Sequence, residues 1–201
     1  MHVGLHDEAR SCLQAALEEQ PDDLFAMITL GEVSRYVGDH TTAQEYYERT
    51  LALEPAHVYG NMFVPAGLLY LDELETAERA LVKAHSIVGE DSLLQSAEAL
   101  LWAKRGEPDR ADERVRRALD DLQSLSHAHH TRHYVAAALA TMGQPERAIE
   151  QLRLAAETGL PNYPLFVGDH HFDSLRERSD FAQFLAEIKP GWEACQLEFG
   201  G

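Results

Sequence analysis

The sequence predicts an all-α solenoid, built of stacked helix hairpins and closed at its C-terminal end by a capping helix. Three observations carry this: a Gly-to-Ala marker recurs along the 201 residues, apolar positions between the markers follow a helical period, and prolines fall where helices must stop. The markers are Gly4 with Ala9, Gly38 with Ala43, Asp72 with Ala77, Gly106 with Ala111 and Gly143 with Ala148, at steps of 34, 34, 34 and 37 residues. A second small residue follows each Ala by seven positions, at Ala16, Thr50, Ala84, Ala118 and Ala155. Self-similarity at a fixed period means that one supersecondary unit has been stacked.

Taken in order, residues 1–23 read as the second half of a unit whose first helix is missing. The expectation is therefore either the C-terminal part of a longer protein or a short homologue whose exposed first helix is covered by a partner. In the unit 24–57, Met27, Leu30, Gly31 and Ser34 form one stripe, and Ala43, Tyr46, Tyr47, Thr50 and Leu51 form a second after Gly38. Both follow the i, i+3, i+4, i+7 spacing of a helix face. A Gly suits the left-handed residue that ends the first helix of a pair. Pro21 and Pro55, 34 residues apart, stop the second helices of successive units. In the unit 58–91, Asp72 stands in place of the turn Gly, and Pro65 is expected to kink its helix or perturb its first half. The units 92–125 and 129–162 keep the Gly-Ala markers and place Pro108 and Pro145 in a first helical turn, where proline is tolerated. Small residues in phase have a mechanical reason: helices cross so closely there that larger side chains would push them apart.

Around Pro161 the rhythm breaks, and residues 163–201 are expected to form a turn and a cap. Ser179 or Asp180 can start a helix whose Phe181, Phe184, Leu185 and Ile188 make one apolar stripe. Such a lid keeps the core face of a terminal repeat out of water.

Composition narrows the function. With 45% hydrophobic residues the chain can bury a core of single-domain size. No apolar run is long enough to span a membrane, and the first residues lack a signal-like apolar core, so a cytoplasmic protein is expected. The formal net charge of −17 repels phosphate backbones and anionic lipid, which argues against nucleic acid and membrane as partners. Cys12 and Cys195 are too few for a disulfide framework or a four-ligand zinc site and fit reduced thiols.

The period and the ordered set Leu30-Gly31, Gly38, Ala43, Tyr47 and Pro55 resemble the tetratricopeptide repeat (TPR), a helix–turn–helix of 34 residues. The unit 24–57 matches best, with Met27 and Ser34 in place of the usual Trp and Tyr. The unit 58–91 departs more, with Val64-Pro65 where Leu-Gly is expected. The tail is similar to the segment that closes the TPR region of many bacterial multidomain signalling proteins: kinases, adenylate cyclases and winged-helix regulators. The resemblance covers about four-fifths of the chain and implies a right-handed α-solenoid.

It also implies a concave groove lined by the first helix of each unit. The corresponding positions are Phe25, Ile28, Glu32, Arg35 and Tyr36; Tyr59, Met62, Phe63 and Tyr70; Lys104; and Tyr134. Tyr36, Tyr59, Phe63 and Tyr70 are the expected anchors, since aromatic residues are enriched where a partner is gripped. The competing reading is that these side chains pack against neighbouring helices. TPR domains that clamp a terminal carboxylate carry Lys, Asn and Arg at positions that here read Ile28, Glu32, Phe63, Leu93 and Ala97, so that cradle is missing.

The run HAHHTRH, from His127 to His133, is the main rival signal. His129 and His133 are i, i+4 and can share a helix face toward a divalent metal. The run lacks an HExxH base and a nearby Cys, so no metal and no cofactor are assigned. Asp169-His170-His171 reads as a turn cap. No nucleophile elbow or phosphate-binding Gly loop occurs. The expected function is a non-catalytic scaffold that binds a neutral or basic protein or peptide segment. The alternatives are a C-terminal regulatory segment of a larger bacterial signalling protein and, last, a metal-dependent hydrolase using the His run.

Overall fold

The computed structural model describes residues 1–120, 122 and 128–199. Among them are eleven α-helices and one 3-10 helix, with no strand. The chain forms two compact units, Leu5–Gly89 and Glu90–Phe199, and the second also contains His2–Gly4.

The first unit comprises α1 (His6–Glu19), α2 (Leu24–Tyr36), α3 (His40–Leu53), α4 (Val58–Tyr70) and α5 (Leu74–Val88). Helix α2 pairs with α3 and α4 with α5, while α3 and α2 both pack on α4 and α1 packs on α2. The hairpins therefore lie side by side in chain order. The second unit comprises α6 (Ser92–Lys104), α7 (Pro108–Asp120), α8 (Ala128–Thr141), α9 (Pro145–Glu157), α10 (Tyr163–Gly168), the 3-10 helix His170–Leu175 and α11 (Ser179–Phe199). Here α6 pairs with α7, α8 with α9, and α6 packs on α8; the 3-10 helix seats on α8 and α11 on α9.

All five marker residues take positive φ: Gly4 at 84°, Gly38 at 82°, Asp72 at 58°, Gly106 at 72° and Gly143 at 71°. Aspartate is among the few side chains that tolerate this region, which is why Asp72 can stand where the other units use Gly. The four hairpin turns share one hydrogen-bond pattern. The amide of the residue after each marker donates back five residues, Asp39 to Ser34, Glu73 to Leu68, Glu107 to Trp102 and Gln144 to Leu139, each within 3.0 Å. This is a Schellman closure, which satisfies carbonyls that a helix end leaves open. The starts of α2, α3 and α6 are closed by side chains: the Asp23 carboxylate accepts from the Ala26 amide at 3.0 Å, Asp39 from Thr42 at 3.2 Å and Asp91 from Leu93 at 2.8 Å.

Eight of the ten in-phase small residues are buried, Ala43, Ala77, Ala111 and Ala148, then Thr50, Ala84, Ala118 and Ala155, whereas Ala9 and Ala16 of α1 are half-buried. Helix α4 runs from Val58 to Tyr70 with Pro65 inside it. The capping helix is also longer than the Phe stripe requires: α11 runs 21 residues, past Pro190. Phe181 and Phe184 are buried, whereas Leu197 near its end is 91% exposed. The end of the 92–125 unit and His127 lie outside the described residues.

Candidate functional site

The first-helix positions divide by burial. Phe25 is 68% exposed and Tyr59 44%, and Lys104 is half-buried, whereas Ile28, Glu32, Arg35, Tyr36, Met62, Phe63, Tyr70 and Tyr134 are buried. Of the four expected anchors, only Tyr59 faces solvent. The reason lies in the helices themselves. Helix α4 is apolar around nearly its whole circumference, and eleven of its 13 residues are buried, as for any helix without a polar face.

In the first unit, four of these positions form one buried cluster. The Arg35 guanidinium donates to both Glu32 carboxylate oxygens, Nε at 3.2 Å and Nη2 at 2.8 Å. Its Cζ also lies 4.7 Å from the centres of both the Tyr36 and Tyr70 rings. Tyr47 of α3 donates its hydroxyl to Glu32. A bidentate pair with two cation–π contacts compensates the burial of two charges. These residues tie α2, α3 and α4 together.

The Tyr47 ring fits only because its neighbours lack side chains. A methyl group at Gly31 or at Gly67 would overlap the ring. The Leu-Gly of the first full unit is thus a socket for a tyrosine of the next helix.

In the second unit the histidine run splits. His133 Nε2 lies 3.0 Å from Asp169 Oδ2, and His171 Nδ1 lies 2.9 Å from Asp169 Oδ1, which also accepts the His171 amide at 3.0 Å. Burial alone would push the Asp169 carboxyl up, but the hydrogen bonds and charges of the two histidines outweigh it and hold it well below its ordinary value. His171 moves down because its burial outweighs the attraction of Asp169. An ionised Asp169 therefore accepts from His133 and His171, with His171 neutral at pH 7. The three side chains are at most 3% exposed and clasp the 3-10 helix to α8.

His129 belongs elsewhere. Its ring lies 4.7 Å from His2 and 4.3 Å from His130, and His2 lies 5.0 Å from His130. The i, i+4 pair His129 and His133 is thus directed to two different clusters. Sequence spacing had no means of bringing in His2, which lies at the far end of the chain. Segment His2–Gly4 is seated by Gly4, where a Cβ would stand 2.8 Å from both Pro164 and Trp192.

No helix among the described residues is long and apolar enough to cross a membrane. No sequence-family model matches the chain, and no curated protein matches it by sequence. Solved structures do. A thermophilic TPR protein of Thermus thermophilus superposes with a TM-score of 0.62 at 21% identity, covering 92% of this chain and 90% of that one. A tetratricopeptide repeat protein of Parabacteroides merdae gives 0.60 at 16% identity, over 92% and 72%. A chain of the Cut9–Hcn1 hetero-tetramer gives 0.62 at 16% identity, over 92% of this chain but 37% of that one. With hairpins in chain order within each unit, Schellman turns at the hairpin markers and these neighbours, the chain has the tetratricopeptide-repeat fold.

Proposed function

We propose that the chain is a non-catalytic scaffold that binds a protein or peptide segment, and that Phe25 and Tyr59 are its anchors in the first unit. The observation that carries this reading is the exposure of two aromatic side chains at equivalent positions, each one residue past the start of a first helix, on two helices that pack together. Val58 beside Tyr59 is 49% exposed and adds apolar surface. Aromatic side chains on rigid helices lose little entropy when a partner covers them, which is why they dominate binding energy. The matched chain of the Cut9–Hcn1 complex works within a hetero-tetramer, which supports protein binding as a use of this fold. A net charge of −17 favours a neutral or basic segment by steering its approach.

The test is affinity capture with the intact chain, with Phe25→Ala/Tyr59→Ala as the matched control. Loss of two anchors lowers affinity for a captured partner at least about tenfold. Unchanged capture by a double variant with a normal melting temperature overturns the assignment.

A further inference from the structure

We infer that His2, His129 and His130 form a binding site for a divalent transition-metal ion that prefers imidazole ligands, and Zn2+ in particular. Each offers a ring nitrogen, and the three nitrogens lie within 4.8 Å of one another. All three ring pairs are in mutual contact, so the cluster is a closed triangle rather than a chain of neighbours. His129 and His130 are buried and His2 is half-buried.

Two nitrogens on a tetrahedral zinc ion are about 3.3 Å apart, since each Zn–N bond is about 2.0–2.1 Å. The nitrogens, up to 4.8 Å apart, draw together when an ion binds. The backbone beside the cluster leaves room: a Cβ at Gly159 would stand 3.3 Å from His129 Nδ1, so a side chain there would crowd the ring. Three protein ligands leave a fourth position for water.

The donor set selects the class of ion. Three neutral imidazoles suit Zn2+ and its neighbours in the first transition row, whereas Mg2+ and Ca2+ require oxygen ligands. A second group, Asp169, His170 and His171, also brings ligand atoms together. It is the poorer candidate because both Asp169 oxygens already accept hydrogen bonds from His133 and His171. Bound at the first triangle, the ion ties residue 2 to α8 within the second unit.

The experiment uses the 201-residue chain without a polyhistidine tag, after treatment with a chelator. Zn2+ alone is titrated by calorimetry, and Co2+ is used in parallel to read coordination from its visible absorption. Saturation at one ion per chain is expected, with tetrahedral Co2+ bands and a raised melting temperature. His2→Ala, at the edge of the fold, weakens binding by more than the roughly tenfold to hundredfold that losing a residue behind a ligand costs. It also abolishes the rise in melting temperature, and its metal-free melting temperature serves as the folding control. His170→Ala leaves binding unchanged. Absence of saturable binding, equal binding by His2→Ala, or loss of binding in His170→Ala overturns the assignment.

Discussion

Tyr47 of α3 lays its ring against Gly31 of α2, at a contact that admits no β-carbon. Gly67 of α4 meets the other edge of the same ring. Gly31→Ala and Gly67→Ala each therefore force the ring aside and cost about 1–3 kcal/mol, the range for overpacking a filled core. Gly191 within α11 has open space around it, so Gly191→Ala is neutral or stabilises by up to about 1 kcal/mol. Urea denaturation of the three variants checks the contrast. Equal effects at all three would remove the socket.

The cluster around Glu32 gives a graded series. Glu32→Ala strands the buried Arg35 guanidinium, at a cost of about 3–5 kcal/mol. Tyr47→Phe removes one hydrogen bond to a charged acceptor and costs about 1.5–3 kcal/mol. Denaturation midpoints in that order support the network, and the reverse order contradicts it.

The clasp of His133, Asp169 and His171 makes stability fall with acid. His171 has a folded pKa below its ordinary value of 6.5, so its stabilising contribution is complete above that pH. It is lost as pH falls toward the folded pKa, because the unfolded chain takes up the proton first. The Asp169 carboxyl is held well below 3.8, so its contribution is lost only as pH falls below that value. Both act in the same direction. Urea midpoints of the wild type decline between pH 7.5 and pH 4 through His171 and again below pH 3.8 through Asp169. Asp169→Asn, which removes the attraction that raises His171, declines at least as steeply in the first window and lacks the second decline, and identical profiles in both windows would rule the clasp out as their source.

The hairpins were legible in the sequence because their determinants are local. A turn that needs positive φ selects Gly, or Asp at position 72, and a close crossing selects Ala; both leave marks at a fixed spacing. The fate of the first-helix aromatics was not legible, because burial depends on which helix covers them. Tyr36 and Tyr70 carry the same residue type as Tyr59, yet they enclose Arg35. The histidine clusters escaped for a similar reason. Their other members, His2 and Asp169, come from distant segments, and nothing in the run 127–133 points to them. Pro65 lies inside α4, whose residues on both sides of it are helical and buried.

Site-directed photocrosslinking tests the recognition claim most directly, with the photoreactive residue placed at position 25, at position 59, or at Val82, which is exposed on α5. The account predicts that positions 25 and 59 crosslink to the same captured partner and that position 82 does not. Crosslinking at 82 with silence at 25 and 59, while the partner is still captured, would contradict it.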